Sequence, residues 1–220
     1  EDMLLEYDPE DRVKQVTDQR GLITQYHYDG FGDLQQLISP DTGTTLYNYD
    51  AAGNRTRQTD ARGVVTNYTY DKLNRLQTVT YPDSTKNILY IYDNYNLGLF
   101  VCTTCNGQLS GLTDSSGAML YVYDALGRMD KRINTVNVPV GGSVTLATDF
   151  NFNDAGRLEQ ISYPNGQVVK YGFDAAGQVN AVRYKAPAAN DLLKNIATGI
   201  TYQPFGPMKG ATYGNSRVLN

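Results

Sequence analysis

Short runs in which every second residue is tyrosine recur along the chain: Tyr26-His27-Tyr28, Tyr47-Asn48-Tyr49, Tyr68-Thr69-Tyr70, Tyr90-Ile91-Tyr92 and Tyr121-Val122-Tyr123. Alternation of this kind puts the tyrosines on one face of a β-strand and the residues between them, including the single histidine His27, on the other. Each run ends in Tyr followed by Asp: Tyr28-Asp29, Tyr49-Asp50, Tyr70-Asp71, Tyr92-Asp93 and Tyr123-Asp124. The first four of these tyrosines stand 21, 21 and 22 residues apart. Weaker copies at Tyr7-Asp8, Phe152-Asn153, Phe173-Asp174 and Tyr202-Gln203 bring the series to about nine, covering residues 1–220 as one array. A fixed period is the signature of a repeat architecture, and the later intervals of 31, 29, 21 and 29 residues imply insertions that leave the phase intact.

The punctuation inside one unit predicts its conformation. Asp29-Gly30-Phe31-Gly32 is a turn in which the first-position carboxylate accepts backbone N–H groups and the fourth residue takes positive φ. Gly53, Gly127, Gly156 and Gly177 hold the same place in other copies. Asp11, Asn74 and Asn96 replace glycine there, and since Asp and Asn tolerate the left-handed region, these turns are expected to survive. A second turn returns the chain, as Asp18-Gln19-Arg20-Gly21, Pro40-Asp41-Thr42-Gly43, Asp60-Ala61-Arg62-Gly63, Asp114-Ser115-Ser116-Gly117 and Pro164-Asn165-Gly166. A breaker about every ten residues leaves no room for an ordinary helix. The outgoing segments carry apolar pairs three apart, Val13/Val16, Leu34/Leu37, Leu76/Val79 and Leu158/Ile161. That spacing fits strands with modest apolar content on both faces, or strands with a bulge. Each repeat reads as two strands and two turns, with tyrosines stacked in rows if the strands register by repeat.

Composition agrees with an all-β chain: 18 Tyr, 21 Gly and no Trp, with 40% hydrophobic residues, too many for a disordered segment. A net charge of -4 without a basic run argues against nucleic acid or an anionic membrane as partner. No stretch approaches the ~20 apolar residues of a membrane-spanning helix. Glu1-Asp2-Met3 does not open a secretory signal, and the close at Ser216-Arg217-Val218-Leu219-Asn220 carries no cap, so the chain reads as part of something longer.

The unit Tyr121-Val122-Tyr123-Asp124-Ala125-Leu126-Gly127-Arg128-Met129 resembles the YD repeats of the Rhs family, and phased copies run end to end. Variant segments at Asn106-Gly107, Tyr163-Pro164-Asn165-Gly166 and Tyr202-Gln203-Pro204-Phe205-Gly206 resemble interior repeats of the same family. The resemblance implies an antiparallel β-meander forming a curved sheet, part of a spiral hollow β-shell. It further implies a non-catalytic wall that encloses a C-terminal toxin or other passenger within a secreted or cell-surface protein, the partners being the remaining shell repeats and that passenger. Neither the shell-closing segment nor a toxin is recognisable. Arg12, Arg75, Arg128 and Arg157 keep the family's arginine, whereas Asp33, Asn54 and Gln178 replace it, so a uniform Asp–Arg ladder is not expected.

Candidate chemistry is sparse. Cys102-Thr103-Thr104-Cys105 is read first as an incidental pair in a longer turn, with a local disulfide or a metal or redox role as alternatives, because zinc needs four ligands and His27 lies three repeats away. His27 has no nucleophile partner. The repeated Asp residues are accounted for by their turns. No catalytic residue, cofactor or metal is assigned. The rival reading is an adhesive module whose Tyr/Asp face binds carbohydrate or a receptor; open sheet edges predict self-association.

Overall fold

In the computed structural model the described residues are 3–96, 101–139, 141–187, 192–204 and 206–219. Glu1, Asp2, Phe205 and Asn220, which figure in the sequence reading, lie outside them. The chain divides into two compact units, Glu1–Ile91 with Leu112–Ser115, and Tyr92–Gly111 with Ser116–Asn220.

The first unit is a meander of β1 (Leu4–Tyr7), β2 (Val13–Thr17), β3 (Ile23–Tyr28), β4 (Leu34–Ser39), β5 (Gly43–Tyr49), β6 (Arg55–Thr59), β7 (Val65–Tyr70), β8 (Leu76–Thr80) and all but the last residue of β9 (Ile88–Tyr92). Every consecutive pair is antiparallel. A single 3-10 turn at Ser84–Lys86 joins the last two. The chain continues through β10 (Tyr95–Asn96), β11 (Val101–Cys102) and β12 (Leu109–Asp114). The second unit's main meander is β13 (Gly117–Tyr123), β14 (Met129–Val138), β15 (Gly142–Phe152), β16 (Leu158–Ser162), β17 (Val168–Phe173), β18 (Val179–Lys185), β19 (Lys194–Tyr202), β20 (Met208–Tyr213) and β21 (Val218–Leu219). Its consecutive strands also pair antiparallel. The all-β antiparallel fold expected from the periodicity is the one observed.

The three-residue apolar spacing is explained by a bulge that returns in every full repeat. Tyr28 pairs with Leu34 but His27 pairs with Gln36, so Gln35 is the extra residue. The same shift leaves Lys14, Thr56, Gln77, Asp130, Glu159 and Asn180 as the extra residues of their repeats. An extra residue flips the side-chain alternation once. Leu34 and Leu37 therefore face the same way, opposite Tyr28 and Tyr26 respectively. Of the two sequence readings the bulge is correct, and apolar content is concentrated on the tyrosine face. His27, Asn48, Asn67 and Thr69 point to the other, exposed face.

Register corrects the expectation of stacked tyrosines. An outgoing strand lies between successive tyrosine strands, so the neighbours of Tyr49 across the ladder are residues such as Arg55, and the rows alternate aromatic with apolar or arginine side chains. Burial is thin: Val79 in the first unit and Leu120, Ile133, Ala181, Ala197, Ile200 and Ala211 in the second are buried, and the last three pack with Val179, Val182 and Tyr202. With so little interior, backbone ladders and turn chemistry carry much of the order.

Candidate functional site: the latch between repeats

In five copies the tyrosine that ends the returning strand is fixed by its hydroxyl. The Tyr28 hydroxyl donates to the carbonyl of Val13 at 3.0 Å, Tyr49 to Leu34 at 2.9 Å, Tyr70 to Arg55 at 2.9 Å, Tyr123 to Leu109 at 2.7 Å and Tyr202 to Val179 at 3.0 Å. The acceptor is in each case the first residue of the preceding outgoing strand, and Val13, Leu34, Arg55 and Val179 stand beside the bulge where the ladder is interrupted. A bulge leaves local backbone groups unpaired, and a tyrosine of the next repeat supplies a donor there. The repeated tyrosine thus ties each unit to the one before it. Burial raises the ionisation of Tyr49, Tyr70 and Tyr123 above the ordinary 10.0.

The aspartate that follows closes the turn. One carboxylate oxygen of Asp29 accepts the N–H of Phe31 at 2.9 Å and of Asp33 at 3.0 Å. Asp50 does the same for Ala52 and Asn54, Asp71 for Leu73 and Arg75, and Asp124 for Leu126 and Arg128. Asp174 accepts from Gln178, and Asn153 from Arg157. The residue three places on carries positive φ, at Gly32, Gly53, Gly127, Gly156 and Gly177, and also at Asp11 and Asn74, where the turn survives as expected. Arg12, Arg75 and Arg128 also reach the other carboxylate oxygen of their aspartate through Nε, at 2.6 Å for Arg12 to Asp8 and 2.7 Å for both Arg75 to Asp71 and Arg128 to Asp124.

In three copies the arginine at this place also reaches forward. The Arg12 guanidinium lies 4.7 Å from the Tyr28 ring centre, Arg128 lies 4.5 Å from that of Phe152, and Arg157 lies 5.7 Å from that of Phe173. Arg55, one place further along its repeat, sits over Tyr68 at 4.7 Å and Tyr47 at 5.7 Å. Stacking of a cation on an aromatic face contributes about 0.5–1 kcal/mol at exposed sites. Asn54 reaches forward differently, donating to Asn74 of the next turn at 3.0 Å. This forward contact is absent from the sequence reading, which treated arginine only as an in-turn partner of aspartate.

Tyr92-Asp93 departs from the pattern, and the expectation that Asn96 closes a turn there is wrong. Asn96 lies in β10, and the Asp93 N–H bonds to the carbonyl of Gln108 instead of a residue four places on. Gly107, at φ +78, takes the closing place and donates to the Asp93 carboxylate at 2.7 Å. The inserted segment is sewn to its own unit: Tyr95 donates to the Tyr121 carbonyl, Thr104 to that of Tyr123, and the Asn94 side chain accepts the Cys105 N–H. Cys102 and Cys105 are joined by a disulfide with Cα atoms 5.8 Å apart, so the pair is not incidental. Both are fully buried. Among the described residues no group of three or more His, Cys, Asp or Glu could hold a metal ion.

Hydrogen bonds from the N–H four residues on, opposed by partial burial, hold the carboxyls of Asp18, Asp29, Asp71 and Asp124 below the ordinary 3.8. A depressed folded value means stability that is present above 3.8 and lost as pH falls through the depressed values. The raised tyrosines act oppositely: their contribution is complete below 10.0 and lost as pH rises beyond it. The urea midpoint is therefore expected to form a plateau between about pH 4 and pH 10 with a fall on each side. A midpoint unchanged down to pH 2 would contradict the carboxylate turns.

The family model described as RHS Repeat matches residues 7–44, 49–86 and 152–188, just over half of the chain. No curated protein matches. Among solved structures the fold is similar to a crystal structure of TcdB2-TccC3-Cdc42, with a TM-score of 0.79 and 17% identity over 98% of this chain. It is also similar to a crystal structure of TcdB2-TccC3 and to a Photorhabdus luminescens Tc holotoxin pore carrying a TccC3 mutation, with TM-scores of 0.80 and 0.81 at the same identity and coverage. In each case the match spans only 12% of the other chain. Phased Tyr-Asp turns, the recurrent bulge and the family match agree, and the chain belongs to the RHS repeat family.

Proposed function

We propose that this segment is one stretch of the wall of a hollow repeat-built shell, within a longer secreted or cell-surface protein, and that the shell encloses a C-terminal toxin or other passenger without catalysing a reaction. The observation that carries this reading is where the chemistry of the repeat is used. The hydroxyls of Tyr28, Tyr49, Tyr70 and Tyr123 are bound to backbone carbonyls of their neighbours, and the carboxylates of Asp29, Asp50, Asp71 and Asp124 to backbone N–H groups of their own turns. Residues that on sequence grounds could have formed a sugar-binding face are engaged within the wall, the tyrosines in joining repeat to repeat and the aspartates in closing their own turns. The fold likeness to a segment of the TccC3-containing structures supports the same reading. A wall of this kind acts by excluding solvent and protease from what lies within, so its requirements are continuity and stability.

Reading the gene outward in both directions tests the proposal. The expected result is further repeats followed by an unrelated C-terminal cassette; a single transmembrane helix followed by extracellular modules would replace encapsulation with adhesion. On a glycan panel the wall reading expects no selective binding. Selective binding lost on changing Tyr28 or Tyr49 to alanine, with the fold retained, would overturn it.

A further inference from the structure

Between one repeat turn and the next there is a slot that the chain fills with its own guanidinium groups. Arg12 occupies it over Tyr28, donating to the Asp29 carbonyl, with Nη1 3.4 Å from where a Cβ on Gly32 would stand. Arg128 occupies the equivalent slot over Phe152 beside Gly156, and Arg157 the one over Phe173 beside Gly177. One repeat after Arg12, the residue at this place is Asp33. There the side chain that would plug the slot is replaced by a short acid. Nothing lies within 4 Å of the Cβ position of Gly53, in contrast to Gly32. The result is a cavity of about 590 Å³ whose lining includes Asp29, Phe31, Asp33, Tyr49, Asp50 and Gly53.

We propose that this cavity binds an arginine side chain presented by a separate polypeptide segment, in the manner that the equivalent slots at Tyr28, Phe152 and Phe173 hold arginines of the chain itself. The elements that receive Arg12 have direct counterparts: Asp29 stands for Asp8, Tyr49 for Tyr28 and Gly53 for Gly32. Asp33 adds a carboxylate for which no hydrogen-bonding or ionic partner is found among the described residues. The second oxygen of Asp29 receives only the Gln35 side chain at 3.3 Å, a long bond that a guanidinium can displace. Arginine suits the slot better than lysine, because its planar fork can bond a carboxylate while lying flat on an aromatic ring. The three occupied slots are what identify the ligand; the acidic lining alone would not. The inference concerns these residues and holds or fails independently of what the parent protein encloses.

The test is an NMR titration of the intact 220-residue chain with acetyl-Gly-Arg-Gly-amide, alongside its citrulline and lysine counterparts. The arginine peptide is expected to shift the amides of Asp29, Asp33, Tyr49 and Gly53 and to bind on the order of tenfold more tightly than the uncharged citrulline peptide. Asp33→Asn should weaken that binding. Asp33→Arg should restore the internal plug, abolish binding and raise Tm by about 2–4 °C. Equal binding of the citrulline peptide, no binding up to the solubility of the arginine peptide, or undiminished binding by Asp33→Asn or Asp33→Arg would each overturn the proposal.

Discussion

Gly117→Ala is expected to cost about 3 kcal/mol or more, the largest effect of any single substitution considered for this chain. Gly117 begins β13 at φ +149, a conformation nearly reserved to glycine. It pairs with Val136, and a Cβ there would stand 1.8 Å from the carbonyl oxygen of Thr135 and 3.1 Å from the Val136 Cα. Both are backbone atoms of the paired strand, so relief requires moving β14 away from β13. That would break the ladder on which the long β14–β15 hairpin is built. Gly53→Ala is the control: φ is +80 and the Cβ position is open, so the expected cost is the left-handed penalty alone, roughly 1–2 kcal/mol. Urea unfolding, with hydrogen exchange across Ala118–Tyr123 to localise the loss, separates the two. Equal costs for both variants would show that β13 and β14 are not this close.

The second large effect is expected at Tyr70. Its hydroxyl reaches the Arg55 carbonyl of the preceding repeat and its ring lies in the half-buried row opposite Leu76. Tyr70→Phe keeps the ring but deprives that carbonyl of its donor beside the bulge, at a cost of about 1 kcal/mol. Tyr70→Ala removes the ring as well and is expected to cost about 3 kcal/mol. Exchange protection should fall at β6 as well as β7, because the bond joins one repeat to the other. If Tyr70→Phe leaves both stability and β6 protection unchanged, the hydroxyl is not a latch and the repeated tyrosine is there for its ring alone.

The two-strand, two-turn unit was legible because its signals are local. Asp at the first turn position and a residue tolerant of positive φ at the fourth fix the turn within five residues, which is why even Asp11 and Asn74 could be placed correctly. The bulge was legible only as one of two options, since a three-residue spacing of Leu34 and Leu37 shows that alternation fails without saying how. What could not be read were contacts that depend on register. The partner of the Tyr49 hydroxyl lies 15 residues back, and it becomes adjacent only after the bulge shifts the pairing. The forward stacking of Arg12 on Tyr28 likewise follows from two turns being brought to one end of the sheet. Asn96 misled because it stands at the expected distance from Asp93, while the closing residue, Gly107, lies beyond an insertion whose length carries no local mark.

If these repeats form a barrier, it is the full-length parent protein, exposed to protease, that reveals it. The C-terminal portion is expected to survive a protease dose that digests the same portion expressed alone, and Gly117→Ala, by loosening the β13–β14 ladder, is expected to make it cleavable. Cleavage of the C-terminal portion at the same rate in the parent protein and in isolation would show that the repeats form no barrier.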